Sequence, residues 1–301
     1  MRVTRKLAKR AAALLLPLAL LLIAAGWPGH VVAQTHSFLW KATSRQGTIY
    51  LVGSVHLLTK DYYPLAPALE AAYKDSALLV EEVDLGDMLT SDAQLQMLMR
   101  GMLPAGQSLQ QVVAPATMTL VNKTMADLGV PLEPLQRLKP WMVALTLLGL
   151  EWQKSGFDAA LGLDEHFYEL AKSDGKPVQG LETVAYQVAR FDEMTMEQQD
   201  HLLSESLKEL DTEQASLTAV ANAWKMGDEV AVEKIVLEDL KSDPMLYQRL
   251  LVERNRNWLP QLEALFSRQG HALVVVGAAH LVGPDGLLQM LRAKGYSVDQ
   301  Q

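Results

Sequence analysis

The chain of 301 residues carries 35 acidic against 27 basic side chains, a net charge of −8, and no cysteine. Without cysteine there is no disulfide framework, no thiol chemistry and no thioether-linked lipid, so stability has to come from an ordinary apolar core. An acidic surface repels phosphate backbones and anionic lipid, which excludes nucleic acid as an expected partner.

Residues 1–33 read as a secretory signal peptide. "MRVTRKLAKR" holds five cationic side chains, and "AAALLLPLALLLIAA" is an apolar core too short for a bilayer span of roughly 20 residues. Val31, Val32 and Ala33 are small residues that suit a signal peptidase, so cleavage near Ala33 and a periplasmic or secreted product without stable membrane insertion are expected; an uncleaved anchor is the competing reading. Loss of the leader leaves 22 basic against 35 acidic groups, a net charge of −13. Residues 34–301 are long enough for one large domain, although length alone does not exclude two.

In chain order, Phe38 to Ala42 and Thr48 to Gly53 read as two strands joined by a polar turn at Ser44 to Gly47. "YPLAPALEAAYKDS" has a proline-initiated helical pattern, and "ALLVEEVDL" follows as a short apolar run with two carboxylates inside it. Strand, helix, strand is the unit that builds a parallel pair. From about residue 86 to 269 helical periodicity dominates, with one short strand expected in "KPVQGLE". "PMLYQRLLVERNRNWLPQLEALFSRQG" reads as a long helix with a kink at Pro260. After Gly270 come the strand "HALVVVG", a helix over "PDGLLQMLRAKG" and a last strand at "YSV". The fold class expected is α/β: a mixed, largely parallel sheet built from the two ends of the chain, with a helical middle section.

Two segments repeat one device. "TIYLVGSVH" and "HALVVVGAAH" each run from an apolar strand through a glycine and two residues to a histidine, His56 and His280. "LVVVG" has no polar side chain, as befits a central parallel strand, and ligands collect outside the carboxyl ends of such strands. Gly53 and Gly277 are expected to turn the backbone sharply there. If the two strands are neighbours, both imidazoles emerge at one sheet edge. Glu81 and Glu82 in "LLVEEVD" should point to opposite faces, placing one in the crevice. Burying a carboxylate unpaired costs several kcal/mol, which a cation would offset. Two histidines and one carboxylate with open positions form a ligand set used by zinc, manganese and iron, and would support metal-assisted hydrolysis.

"GTIYLVGSVHLL", "VVVGAAHLVGPDGLLQMLRAKGY" and "LLVEEVDL" resemble the TraB/GumN family, related to the PrgY pheromone-shutdown proteins and the Tiki proteases. "LKPWMVALTL", "GLDEHFYELAKSDGKPVQGLETVAYQ" and "LLVERNRNWLPQLEALF" extend the likeness over nearly the whole chain after the leader. The resemblance implies kinship with erythromycin-esterase and ChaN-like folds. It also implies a divalent cation, manganese or cobalt first and zinc or iron next, used to cut a peptide or protein substrate. Carried over by position, His56, Glu82 and His280 hold the metal; Glu82 is chosen over Glu81 because one apolar residue, Val83, separates it from Asp84. Arg254 in "ERN" matches a further family position, where its charge would hold an anionic group or a developing oxyanion. Asp164 either orients a ligand or substrate or caps a helix, and Glu182 either lines the crevice or caps. His166, His201 and His271 read as solvated surface groups, and Trp40, Trp141 and Trp258 as packing anchors. The reading of another class is a non-enzymatic protein that sequesters a peptide, iron or haem in the same crevice.

Overall fold

The computed structural model describes residues 36–301, and the expected leader lies outside them. β1 (Leu39–Thr43) and β2 (Thr48–Ser54) form the antiparallel hairpin, with Leu39 opposite Val52 and Thr43 opposite Thr48. Its turn is closed by Ser44 Oγ, which accepts from the N–H groups of Gln46 and Gly47. Pro67 opens α1 (Pro67–Asp75), whose Leu69, Ala72 and Tyr73 are buried, and the helix runs directly into β3 (Ser76–Glu81).

The helical middle follows as α2 (Leu85–Met88), α3 (Ser91–Gly101), α4 (Leu109–Val112), α5 (Pro115–Leu128), α6 (Pro140–Lys154) and α7 (Leu163–Asp174). The short strand expected in "KPVQGLE" is β4 (Val178–Gly180). After it come α8 (Val184–Asp192), α9 (Met196–Lys225), α10 (Glu229–Ser242), α11 (Pro244–Tyr247) and α12 (Glu253–Leu265). The chain closes with β5 (His271–Gly277), α13 (Ala278–Leu281), α14 (Leu287–Ala293) and β6 (Ser297–Gln300).

These strands make one six-stranded mixed sheet in the order β4-β3-β5-β2-β1-β6. β4, β3, β5 and β2 are parallel, and β1 runs antiparallel to both β2 and β6. β5 is central, and Ala272 to Gly277 are all buried, which explains its unbroken apolar run. The sheet is not built from the chain ends alone, because β4 comes from the helical middle and extends the edge beside β3. The carboxyl ends of β2, β3, β4 and β5 therefore share one rim, with Ser54 beside Gly277 and Glu81 between Val275 and Gly180.

A large core surrounds the sheet, and a second cluster lies among α4, α5, α6 and α9, including Val121, Leu147 and Leu203. α9 belongs to both. Its 30 residues extend about 45 Å at the usual helical rise. Leu203 and Leu207 enter the second cluster while Ala221 and Trp224 enter the first. Trp224 Nε1 donates to the buried Gly53 carbonyl at 2.8 Å, tying this helix to the rim of β2. Trp224→Phe is expected to lower stability by about 1–3 kcal/mol, because a buried acceptor loses its side-chain donor and the smaller ring leaves part of the indole's space unfilled. Urea unfolding checks this, and a loss under about 0.5 kcal/mol would remove the anchor from the account.

The long helical run expected after residue 243 is interrupted upstream of Pro260, which lies inside α12. The irregularity is a π-helical turn at Gln248–Val252, which runs straight into α12 two residues before Arg254. Such turns rotate the following residues relative to an unbroken α-helix. Here the residues that follow face the rim of the sheet. Among the described residues no helix is long and apolar enough to cross a membrane.

Candidate functional site

Three of the four parallel strands deliver a polar side chain just past their carboxyl ends. Glu82 follows β3, His56 follows β2 by two residues, and His280 stands in α13 directly after β5. Glu82 Oε1 accepts the Gly277 N–H at 2.8 Å, which joins the carboxylate to the end of β5. A Cβ on Gly277 would lie 2.9 Å from His56 Nε2 and 3.2 Å from Glu82 Oε1. The imidazole and the carboxylate thus close over a glycine that has no side chain to obstruct them.

Gly277 does not make the sharp turn expected of it. Its φ of −48° and ψ of 137° are open to any L-residue, and Gly53 lies inside β2 without a positive φ. Close approach explains both positions. A Cβ at Gly53 would fall 2.4 Å from the Phe38 ring and 3.2 Å from the Ala278 Cα.

Both imidazoles are tied from outside and turn Nε2 toward Glu82. His56 Nδ1 meets Asp164 Oδ2 at 2.8 Å, and the same oxygen accepts from Ser54 Oγ. Asp164 therefore orients His56, while the N-cap of α7 is Gly162. The Asp164 carboxylate pushes His56 up to about 9. Asn255 Nδ2 donates to the carbonyls of His280 and Asp285, so its Oδ1 is left to accept the His280 Nδ1–H at 2.7 Å. His280 Nε2 then presents a lone pair, 3.9 Å from Glu82 Oε1. Burial holds this imidazole neutral by driving it down to about 3.

Arg254 lies behind these groups with all five of its N–H donors engaged. Nε and one Nη2 hydrogen face Glu182, the second Nη2 hydrogen goes to Glu82 Oε2, and Nη1 serves the Leu250 carbonyl at 3.1 Å and His280 Nε2 at 2.9 Å. In this arrangement every Arg254 donor is spent on holding Glu82, Glu182, His280 and the Leu250 carbonyl, and only release of His280 Nε2 would free one for a substrate anion or an oxyanion. Burial raises the Glu82 carboxyl, but Arg254, the two imidazoles and the Gly277 N–H together outweigh it and hold the group well below the usual carboxylate range. Glu182 neither lines the cleft nor caps a helix, since Thr183 caps α8. Its buried carboxylate bonds Arg254 and accepts from Trp258 Nε1 at 3.1 Å.

A cleft of ≈ 310 Å³ opens onto His56 and Glu82, between β3, α2 and the start of α7. The His56 side chain is 56% exposed, whereas those of Glu82, Arg254 and His280 are 11%, 9% and 7% exposed. Accessibility thus falls from His56 through Glu82 to the buried pair beneath. Glu81 was expected on the face opposite Glu82, yet both line the cleft. The strand ends at Glu81, so strict alternation no longer applies to the next residue. Burial pushes Glu81 up to about 9.

Two contributors, Asn255 and Ser54, escape the sequence reading, and two that it named, Trp258 and Glu81, take further parts in the site. Asn255 is completely buried, Trp258 packs its ring at a tilt 4.4 Å from that of His280 and 4.6 Å from the Arg254 guanidinium carbon, Ser54 bonds Asp164, and Glu81 shares the cleft. The signal for one of them was present in "ERNRNW", where Trp258 falls at i+4 from Arg254 on one helix face. His166 is not a solvated group, for its Nε2 lies 3.0 Å from Glu70 Oε1 and its ring packs edge-on against Phe167. His271 Nδ1 meets Asp75 at 2.8 Å.

The donor set contains two inward Nε2 atoms and a carboxylate, each held by outer partners of the sort that accompany metal-binding histidines. Among the described residues, no three His, Asp or Glu side chains stand in ready ligand geometry. His56 Nε2 and Glu82 Oε1 suit a cation approached from the cleft. His280 Nε2 suits it once Arg254 Nη1 withdraws.

A family model described as the TraB/PrgY/gumN family matches residues 38–300. The chain is similar to uncharacterized protein YbaP of Escherichia coli (strain K12), 29% identical over 246 residues that cover 81% of this chain and 87% of that protein. YbaP of Shigella flexneri gives the same figures. An uncharacterized protein of Treponema pallidum (strain Nichols) is 19% identical over 283 residues, 88% of this chain and 82% of its own. No solved structure gives a significant match.

Proposed function

The chain belongs to the TraB/PrgY/gumN family, and from that membership and the geometry of the rim we propose that it is an exported, metal-dependent hydrolase acting on peptide bonds. The observation that carries the reading is the set of three inward groups at neighbouring strand ends. Glu82 is fixed by a backbone N–H, and both imidazoles are tied at Nδ1 so that Nε2 turns inward. The leader at residues 1–33 supports export.

His56, Glu82 and His280 would hold the cation, with manganese or cobalt first in order. When bound, such an ion acidifies a water and polarises a carbonyl. The protein's own contribution is orientation and charge. Asp164 fixes the ring plane of His56, Asn255 fixes the tautomer of His280, and Arg254 keeps Glu82 ionised. The arrangement asks that Arg254 Nη1 release His280 Nε2, and its contacts to Glu182 and Leu250 give the guanidinium a place to stay. That same hydrogen bond favours a second reading, in which the crevice binds a peptide without cutting it. Cleavage of a peptide library by the purified protein with manganese or cobalt, abolished by chelator and restored by the metal, tests the first reading. Peptide binding with no turnover under those conditions selects the second.

Gly277→Ala is expected to fold, because its backbone angles accept alanine, yet to weaken cation binding and turnover at least about tenfold by setting a methyl against His56 Nε2 and Glu82 Oε1. A stable Gly277→Ala protein with wild-type metal affinity would contradict the placement of the cation.

A further inference from the structure

Two of the four carboxyl groups that line the cleft are already satisfied. Glu82 is held by Arg254 and the Gly277 N–H, and Asp164 by His56 and Ser54. The other two are not. Glu81 is 2% exposed, its Oε1 has no partner among the described residues, and its Oε2 receives only a long 3.4 Å bond from the Leu85 N–H. The Glu165 carboxylate, in the first turn of α7, makes no hydrogen bond or ion pair to another described residue. A buried acceptor without a donor is rare in folded proteins and calls for one. In either protonation state, a carboxyl keeps lone pairs open to a donor.

The rest of the lining narrows the donor's chemistry. The cleft contains no lysine or arginine among its lining residues, and Val83, Leu85 and Met88 give it an apolar wall beside the free carboxyls. Its volume of ≈ 310 Å³ suits a residue or two of an extended chain and no large planar ligand. We infer that the cleft recognises a primary ammonium group carried beside a short apolar side chain, supplied by either the free amino end of a peptide or a lysine side chain. Glu81 receives the ammonium, Glu165 adds negative potential at the mouth, and Leu85 and Met88 cover the apolar neighbour. This substrate class rests on the reading of the crevice as a peptide site.

The test is calorimetric binding of alanyl-leucinamide, its N-acetyl form and N-acetyl-leucyl-lysinamide to the purified full chain, with hydrolysis scored in the same samples. Either amine-bearing ligand is expected to bind about tenfold or more tightly than the N-acetyl form, and the arm that does so identifies the source of the ammonium. Glu81→Leu, which removes both acceptors at similar volume, should reduce the preferred ligand to the level of the N-acetyl form, and Glu165→Gln should weaken it about threefold. Equal binding of all three ligands to the wild-type protein, or a preference unchanged in Glu81→Leu, overturns the inference. If Glu81→Leu fails to fold, a preference unchanged in Glu165→Gln overturns it instead. Amine preference without hydrolysis removes the hydrolase and leaves this inference, and hydrolysis without amine preference does the reverse.

Discussion

Replacing Arg254 with methionine is expected to cost about 3–5 kcal/mol of folding stability, the range found when one partner of a buried charge cluster is removed. The guanidinium is the common partner of Glu82 and Glu182, whose side chains are 11% and 4% exposed. Without it, two carboxyl groups stay in the interior with no counter-charge, and His280 Nε2 and the Leu250 carbonyl lose a donor. Methionine fills much of the volume of the arginine stem, so the loss reports charge and hydrogen bonding more than a cavity. Adding Glu82→Gln and Glu182→Gln to Arg254→Met should restore more than half of the lost stability, because the uncompensated charge is then gone. Arg254→Lys should recover little, since a lysine ammonium has three donors in place of a five-donor fork. Denaturant unfolding reads all three variants. An Arg254→Met protein within about 1 kcal/mol of wild type would mean that the cluster is not the keystone of the rim.

What the sequence disclosed and what it hid follow from how each feature is encoded. The strands β2 and β5 were legible because burial on both faces writes an unbroken apolar run, and a glycine followed by a histidine three residues later marks both ends of the pair. Parallel pairing of β2 with β5 then brings His56 and His280 to the same rim. Individual roles were harder to read. The glycines looked like turn residues, but the sequence gives no means of telling a φ requirement from a demand for space. Arg254 looked like a group for substrate because its charge is visible, whereas the engagement of its five donors depends on Glu82, Glu182, Leu250 and His280, which lie 172, 72, 4 and 26 positions away. Asp164 carries the same lesson. Its partner His56 is 108 positions distant, and local pattern alone leaves capping and orienting equally open.

The largest functional effect should come from His56. As the most exposed of the inward groups, its replacement by alanine removes a ligand without opening a core cavity, so stability should change by less than about 1 kcal/mol. Turnover, in contrast, should fall at least about a hundredfold, as befits a group that holds the metal and reaches the cleft. His280→Ala is a different case. It is buried against Trp258 and bonded to Asn255 and Arg254, so its loss carries a folding cost of about 1–3 kcal/mol in addition to the loss of metal. Asp164→Asn separates orientation from ligation. It leaves the imidazole present but loosens its hold, and should lower metal affinity about 10- to 100-fold. Retained stoichiometric manganese or cobalt in His56→Ala or in a folded His280→Ala protein would count against the proposed ligand set.

The most direct measurement loads wild-type and His56→Ala proteins with manganese or cobalt, removes free ion by dialysis, and determines metal per chain by elemental analysis alongside peptide cleavage with and without chelator. The expected result is about one tightly held ion per wild-type chain, its loss in His56→Ala, and cleavage that follows the metal content. Equal metal and equal cleavage in the two proteins, or a wild-type chain that takes up no ion, would contradict it.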